Sequence, residues 1–158
     1  MARKMVGFKL KEEYFAFDIM SVIEIIKLRE ITEVPTAPSF IEGVINLRGK
    51  IIPIIDLRKR FNLESEDRGK KYRIIIIDLG NKQYVGVIVD EVTKVINVND
   101  EDIMPPPSTV ADSGGKYIEA VAKIDELIIV MLDIKKIFSE TEQIDLNEIS
   151  KAAGGQIG

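Results

Sequence analysis

The segment over residues 40–57 constrains the fold more strongly than any other part of the chain. Two apolar runs rich in Ile and Val flank Arg48-Gly49-Lys50, and Pro53 interrupts the second run. Glycine adopts the positive φ that a tight reversal needs, so Gly49 predicts a β-hairpin that turns at this point. Proline cannot donate a hydrogen bond to a sheet, so the second strand is expected at a sheet edge or at a bulge. The predicted turn holds Arg48 out where a partner can meet it.

Composition excludes several classes of site. The 158-residue chain is 46% hydrophobic, which is ample for the core of a single domain. It contains no His, Cys or Trp, which excludes imidazole bases, thiol nucleophiles, disulfides and zinc sites built from these residues. A formal net charge of −4 argues against a basic nucleic-acid-binding face. We therefore expect no cofactor, no metal site and no nucleic-acid partner.

The sequence shows no sign of a segment that enters a membrane. The first residues are basic, but Lys9 and Lys11 interrupt the apolar positions that a signal peptide needs. No window supplies the roughly 20 uncharged apolar residues of a membrane-spanning helix. The expected location is the cytoplasm, without direct membrane insertion.

Most of the chain carries the alternating or β-branched runs that are typical of strands. A hairpin is predicted over residues 5–18. A short helix that passes into a strand is predicted over 18–28, with Ser21 and Glu24 as a capping box. The remaining predicted elements are a charged connector over 62–71, strands over 72–79, 83–90, 117–124 and 127–132, a long loop over 104–116, a helical turn over 133–138 and an amphipathic helix over 141–153.

The strand pattern predicts a mainly β protein with two β-rich halves. Four consecutive isoleucines within residues 72–79 indicate a strand that is buried on both faces. Each half contains about five short strands, which favours a pair of small barrels over one open sheet.

Several polar residues are candidates for function, and each also has a purely structural interpretation. Arg48 is either a turn arginine paired with Glu24 or Asp56, or a planar donor at a protein interface. Val22 and Ile25 bracket Glu24, a pattern that suits either core plus solvent or a groove with an apolar floor and an acidic rim.

The acidic residues give weaker signals. Residues 97–102 are acidic but lack the glycine and the spaced glutamate of a calcium loop, so a solvated turn is expected. Asp90 ends an apolar strand, which favours a hydrogen-bonding role at a turn. An enzyme that uses carboxylates would need convergent acids such as Asp78 and Asp90 in a deep pocket.

The order G-V-I-N-L-R-G-x-I-I-P-I-I-D-L over residues 43–57 resembles the signature of the CheW family of bacterial chemotaxis adaptors. Further segments resemble the family in the same order, over roughly residues 5–138. They include Val22-Ile-Glu-Ile-Ile26, Ile31-Thr-x-Val-Pro35, Pro38-x-Phe-Ile-x-Gly43, Val85-Gly-x-x-Val-Asp-x-Val92, Ile103-x-Pro-x-Pro107 and Leu127-Ile-Ile-x-x-Leu-Asp133.

The resemblance implies a fold of two intertwined five-stranded SH3-like β-barrels around a shared core, with short helices and a C-terminal helix. On this basis residues 1–138 form a CheW-like domain. Its lobes span approximately 15–80 and 85–138, and a terminal strand could complete the second lobe. Residues 139–158 form the C-terminal helix and tail.

The resemblance also implies a function without catalysis. Family members couple membrane chemoreceptors to the histidine kinase CheA, binding both the cytoplasmic helical tip of the receptor and the regulatory domain of the kinase. The protein is accordingly expected to be recruited to membrane receptor arrays. The receptor-facing residues that the resemblance implies are Val22, Glu24, Arg48, Gly49 and Val87, to which Ile25 is added as the second apolar neighbour of Glu24. It assigns no residues to the kinase contact.

Other functions stay open at the level of sequence. The nearest are a CheA-type regulatory domain and the adaptor half of a CheV-like protein. A small β-barrel enzyme with Asp78 and Asp90 as its carboxylates belongs to a different class. A nucleic-acid-binding barrel would need exposed aromatic side chains in a basic stripe.

Overall fold

Eleven strands and three α-helices make up the described part of the chain. The structure is a computed structural model that describes residues 2–64, 68–105 and 117–157, with side chains through Lys151. The predicted loop over 104–116 lies almost wholly outside these residues, as do residues 65–67 of the predicted connector. The strands are β1 (Arg3–Leu10), β2 (Glu13–Asp18), β3 (Val22–Lys27), β4 (Gly43–Leu47), β5 (Lys50–Asp56), β6 (Arg73–Asp78), β7 (Tyr84–Val89), β8 (Glu91–Val98), β9 (Ile103–Met104), β10 (Ile118–Ile124) and β11 (Leu127–Leu132). The helices are α1 (Leu57–Arg60), α2 (Ile134–Ile137) and α3 (Glu140–Ile157), and single 3-10 turns span Ile19–Ser21 and Asp100–Asp102.

The strands form two mixed sheets, and the chain passes from one to the other and back. The six-stranded sheet has the order β8-β1-β2-β11-β10-β9, and the five-stranded sheet has the order β3-β6-β7-β5-β4. The chain therefore begins in the six-stranded sheet, builds all of the five-stranded sheet, and returns to complete the first. One parallel pair occurs in each sheet, β11 with β2 and β5 with β7.

Each sheet curls around its own apolar interior. Ile26 on β3 and Ile45 on β4 lie at opposite edges of the five-stranded sheet, yet both belong to one cluster with Ile54, Ile74 and Ile76. In the six-stranded sheet, Ile96 on β8 and Ile103 on β9 likewise meet in one cluster around Met5 and Met131. Opposite edges can share a cluster only when the sheet bends round on itself, so each unit is barrel-like.

A third cluster lies between the two sheets and joins them. It contains Phe8 and Phe17 from the six-stranded sheet together with Ile75, Ile77 and Val87 from the five-stranded sheet, all fully buried. Along β6, alternate side chains point to opposite faces. Ile74 and Ile76 fill the barrel interior, whereas Ile75 and Ile77 fill the shared cluster. The prediction that this strand is buried on both faces is therefore confirmed.

The fold class predicted from the sequence is confirmed: the protein is mainly β, with two sheets, short helices and a C-terminal helix. One sheet has six strands where the sequence predicted about five, because the two-residue strand β9 pairs with β10 at its edge. β7 was assigned to the second lobe by sequence, but it pairs with β5 and β6 in the five-stranded sheet. The separation of residues 139–158 from the domain stays a prediction.

The hairpin predicted over residues 40–57 forms as β4 and β5, with Leu47 opposite Lys50. The expectation that Pro53 lies at a sheet edge or at a bulge is wrong, because β5 lies between β4 and β7 and pairs with β4 without a register shift. Proline still has no N–H to donate to a neighbouring strand. The ladder between β5 and β7 begins only at Ile54, so no strand on that side requires a donor from Pro53.

The segment before β3 has the predicted order of a short helix and then a strand, but a different cap. The N-cap of the Ile19–Ser21 turn is Asp18, whose side chain accepts a hydrogen bond from the Met20 N–H. The predicted capping box of Ser21 and Glu24 is therefore wrong. The β-branched residues that follow favour an extended backbone, so Glu24 lies in a strand.

Helix α3 is fixed to the five-stranded sheet by polar and apolar contacts. Arg60 donates to the Glu142 carboxylate, with 2.7 Å between Nη1 and Oε2. Leu146 is fully buried in the shared cluster, and the Ser150 hydroxyl donates to the Ile51 carbonyl on β5. The helix therefore covers the part of β5 that precedes its ladder with β7.

We predict that Gly86→Ala destabilises the protein by overpacking the five-stranded barrel. A Cβ on Gly86 would lie 2.6 Å from Ile54 Cδ1 and 2.8 Å from Ile74 Cγ2. The expected loss in the free energy of unfolding is about 2 kcal/mol, measured by urea denaturation. Gly69→Ala is the matched control, because nothing lies within 4 Å of its added Cβ. Equal stabilities for the two variants would contradict this account of the barrel interior.

Candidate functional site

The hairpin turn between β4 and β5 places Arg48 and Gly49 at the end of the five-stranded barrel. Both residues have positive φ, 50° for Arg48 and 86° for Gly49. Two such residues in a two-residue loop form the turn that matches the twist of a hairpin. The Gly49 N–H donates to the Asn46 side-chain oxygen, at 2.9 Å. The turn therefore holds the Arg48 side chain out from the sheet.

Glu24 and Arg48 form an ion pair across the seam of the barrel. Arg48 uses both terminal nitrogens, and the Nη1 to Oε2 distance is 3.3 Å. β3 and β4 are the two edges of the sheet, so the pair connects its two ends. Arg48 stays 70% exposed at its side chain, and the hydrogen bond that it donates to the Glu24 carboxylate raises the pKa of Arg48. Of the two partners of Arg48 proposed from sequence, Glu24 is the one observed. Asp56 instead accepts a hydrogen bond from Arg68.

Val22 and Ile25 lie on the other face of the same strand. Val22 pairs with Ile77 and Ile25 with Ile75, and directly paired residues project to the same side of a sheet. That side faces the shared cluster, against which Val22 packs. Ile25 remains 40% exposed, so it adds an apolar surface beside the junction of the two sheets.

Val87 does not belong to this surface. It lies on β7 between Ile55 and Ile75, and its side chain is fully buried in the shared cluster. A side chain with no exposed area cannot contact a partner directly. Any influence of Val87 on binding must act through the packing of the two sheets.

Sequence reasoning missed other residues near the turn. Met20 and Ile23, three residues apart in the sequence, are 86% and 49% exposed. Ile23 also lines a cleft of about 160 Å³ at the barrel mouth, together with Leu47, Lys50 and Tyr84. In the sequence, Ile23 is one member of an apolar run that starts at Val22. The pairing of β3 with β6 has a register irregularity between Val22 and Glu24, and composition does not predict such an irregularity.

Asp90 takes part in a buried ion pair at the point where the chain crosses between the sheets. Its carboxylate accepts from Arg58 Nε at 2.8 Å and from the Lys11 N–H at 2.7 Å. Burial by itself raises the pKa of Asp90, but the hydrogen bonds from Arg58 and Lys11 outweigh it and hold that pKa below its ordinary value. Asp90 therefore has the hydrogen-bonding role at a turn that the sequence favoured.

The carboxylate pair required by the enzyme hypothesis is not brought together. Asp78 is opposite Tyr84 at one end of the β6–β7 ladder, whereas Asp90 follows Val89 at the other end. Five residues of strand separate these ends, or about 17 Å. Asp78 accepts instead from the Gly80 N–H. No group of three or more potential metal ligands occurs within residues 2–64, 68–105 and 117–157.

The nucleic-acid hypothesis also lacks its required surface. All ten Phe and Tyr residues are buried or half-buried, so none offers an open ring for stacking with a base. Phe8, Phe17 and Phe138 lie in the shared cluster. The aromatic residues of this chain thus serve the core.

Comparisons with known proteins agree with the architecture. A family model described as a CheW-like domain matches residues 4–142. The chain belongs to the CheW family. The chemotaxis protein CheW of Treponema pallidum is 38% identical over 143 residues, covering 88% of this chain and 84% of that protein. The chemotaxis protein CheW of Klebsiella aerogenes is 32% identical over 152 residues, covering 96% of this chain and 91% of that protein.

A solved CheW structure has the same fold. The crystal structure of the scaffolding protein TtCheW from Thermoanaerobacter tengcongensis matches with a TM-score of 0.80 and 42% sequence identity. The match covers 88% of this chain and 94% of that one. In this CheW-family chain, no helix within the described residues is long and apolar enough to span a membrane.

We predict that Asp90→Asn destabilises this CheW-family protein by removing the carboxylate that is hydrogen-bonded to the buried Arg58 guanidinium. The side chain of Arg58 is only 6% exposed, and breaking a buried pair costs about 3 kcal/mol or more. The pKa of Asp90 is lower in the folded state than the ordinary value of 3.8. Its contribution is therefore present above that value and is lost as the pH falls through the lowered folded pKa.

The measurement is the free energy of unfolding of both proteins at pH 7 and at steps below pH 4. The deficit of Asp90→Asn should be largest at pH 7 and should shrink on acidification. Asp125→Asn is the control, because Asp125 is exposed and its φ of 55° also suits Asn. A deficit that is independent of pH would contradict the assignment to the ion pair.

Proposed function

We propose that this protein is an adaptor in bacterial chemotaxis that binds chemoreceptors and the histidine kinase CheA at the same time. It acts as a scaffold, so that the state of the receptor alters the activity of the kinase through geometry. The receptor contributes its cytoplasmic helical tip, and CheA contributes its regulatory domain. The protein works in the cytoplasm, at receptor arrays in the membrane.

Membership of the CheW family supports this proposal. The family model spans residues 4–142, and the related TtCheW is described as a scaffolding protein. Binding a helix requires apolar contact area and a few directed polar groups, without a reactive centre. The exposed isoleucines of β3 and the adjoining ion pair meet these requirements.

The observation that carries the proposal is the exposed and oriented side chain of Arg48. The hairpin turn, in which Arg48 has a φ of 50°, holds this side chain out from the sheet. Glu24 orients the guanidinium, while most of the Arg48 side chain stays accessible to a partner.

The proposed receptor-binding surface consists of Val22, Glu24, Ile25, Arg48 and Gly49. The ion pair supplies direction and Ile25 supplies apolar area, which suits a helix that is bound reversibly. Val87 contributes as a core residue that sets the spacing of the two sheets.

We predict that Arg48→Glu weakens receptor binding without unfolding the protein. The substitution places two carboxylates next to each other and removes a planar donor. The expected loss of affinity for a receptor cytoplasmic fragment is on the order of tenfold or more, measured by titration calorimetry. Receptor-dependent stimulation of CheA should fall in parallel.

The double variant Glu24→Arg with Arg48→Glu is the matched comparison. It restores an ion pair across the seam with reversed direction, so stability should stay close to that of the unchanged protein while receptor binding stays weak. Thermal unfolding of each variant controls for misfolding. Full receptor-dependent stimulation of CheA by a folded Arg48→Glu variant would rule out this surface.

A further inference from the structure

A second cleft adjoins the barrel mouth and shares part of its lining. The first, here called the mouth cleft, is lined by Ile23, Glu24, Leu47 and Arg48 among others. The second, here called the helix cleft, has a volume of about 210 Å³ and lies between α3 and the start of β7. Lys50, Ile52 and Tyr84 line both. The two clefts are therefore neighbouring parts of one surface.

Helix α3 provides a fixed wall for the helix cleft. Leu146, Asn147 and Ser150 line it, and this i, i+1, i+4 spacing places them on one side of a helix. The wall is held in place because Leu146 is fully buried and Gln83 donates to the Gln143 carbonyl at 2.5 Å. Most of α3 lies beyond residue 142, where the match to the family model ends. This wall is thus a feature of the chain outside the matched domain.

The two clefts carry positive charge on a chain that is negative overall. Three cations line them, Arg48, Lys50 and Lys82, against the single carboxylate of Glu24. The net charge of the chain is −4, so the local excess of positive charge is opposite in sign to the charge of the whole chain. Lys50 lies with its Nζ 4.7 Å from the centre of the Tyr84 ring. Within the described residues, neither Lys50 nor Lys82 has a carboxylate within salt-bridge distance.

We propose that the mouth cleft and the helix cleft form one docking groove for an amphipathic helix with acidic side chains. Acidic groups of the partner pair with Lys50 and Lys82, and its apolar groups contact Ile23 and Leu47. This proposal rests on the function proposed above and extends the receptor surface from Arg48 towards α3. Charge complementarity selects the acidic helix, because positive side chains without counterions attract a negative partner.

The test measures binding of a purified receptor cytoplasmic fragment to the 158-residue chain by titration calorimetry at low and high salt. Lys50→Glu and Lys82→Glu should each weaken binding on the order of tenfold at low salt. The loss should shrink at high salt, because exposed charges are then screened. Asn147→Trp, which fills the helix cleft without a change of charge, should weaken binding at both salt concentrations.

Lys123→Glu is the matched charge control. Lys123 is exposed on β10 of the six-stranded sheet, so the substitution changes the net charge equally at a different place. Its affinity should equal that of the unchanged protein, and thermal unfolding should show that all variants fold.

The possible outcomes separate this inference from the function on which it rests. If Arg48→Glu weakens binding while Lys50→Glu, Lys82→Glu and Asn147→Trp do not, the extended groove is wrong and the receptor surface stands. If Lys123→Glu weakens binding as much as Lys82→Glu, long-range charge replaces the groove as the explanation. If the receptor fragment does not bind the unchanged protein, both proposals fall.

Discussion

The structure depends on strands that bury both of their faces. β6 supplies Ile74 and Ile76 to the interior of the five-stranded barrel and Ile75 and Ile77 to the cluster between the sheets. Each fully buried isoleucine contributes roughly 1.5–3 kcal/mol relative to exposure. One strand thereby stabilises a barrel and joins it to the neighbouring barrel. The two units share this core and cannot separate without exposing it.

A largely buried ion pair lies where the chain crosses between the sheets. Asp90, at this crossing, accepts hydrogen bonds from Arg58 and from the Lys11 N–H, which connects it to the turn between β1 and β2. Burying an ion pair adds little stability by itself, but losing one member costs much. The pair consequently acts against alternative arrangements of the crossing. The exposed pair of Glu24 and Arg48 contributes little to stability and is free to exchange partners, which suits a binding surface.

Local sequence signals predicted which segments form strands and turns better than they predicted which strands pair with one another. The turn at Gly49, the doubly buried strand of isoleucines and the order of short helix and strand before residue 27 all follow from nearest neighbours. The position of β5 inside its sheet does not, because the parallel pairing with β7 joins segments far apart in sequence. Val87 illustrates the same limit. Its exposure depends on which sheet packs over β7, and no local pattern encodes that.

The sequence alone determined that the chain is mainly β, that it turns at Arg48-Gly49, and that it resembles the CheW family, because these properties reside in residue order and backbone preference. Only the tertiary structure decided that Glu24 is the partner of Arg48 and that Val87 is inaccessible. It also decided that α3 forms the wall of a cleft. Each of these facts depends on strand register and on packing between distant segments. A shift of one residue in register moves a side chain to the opposite face of a sheet.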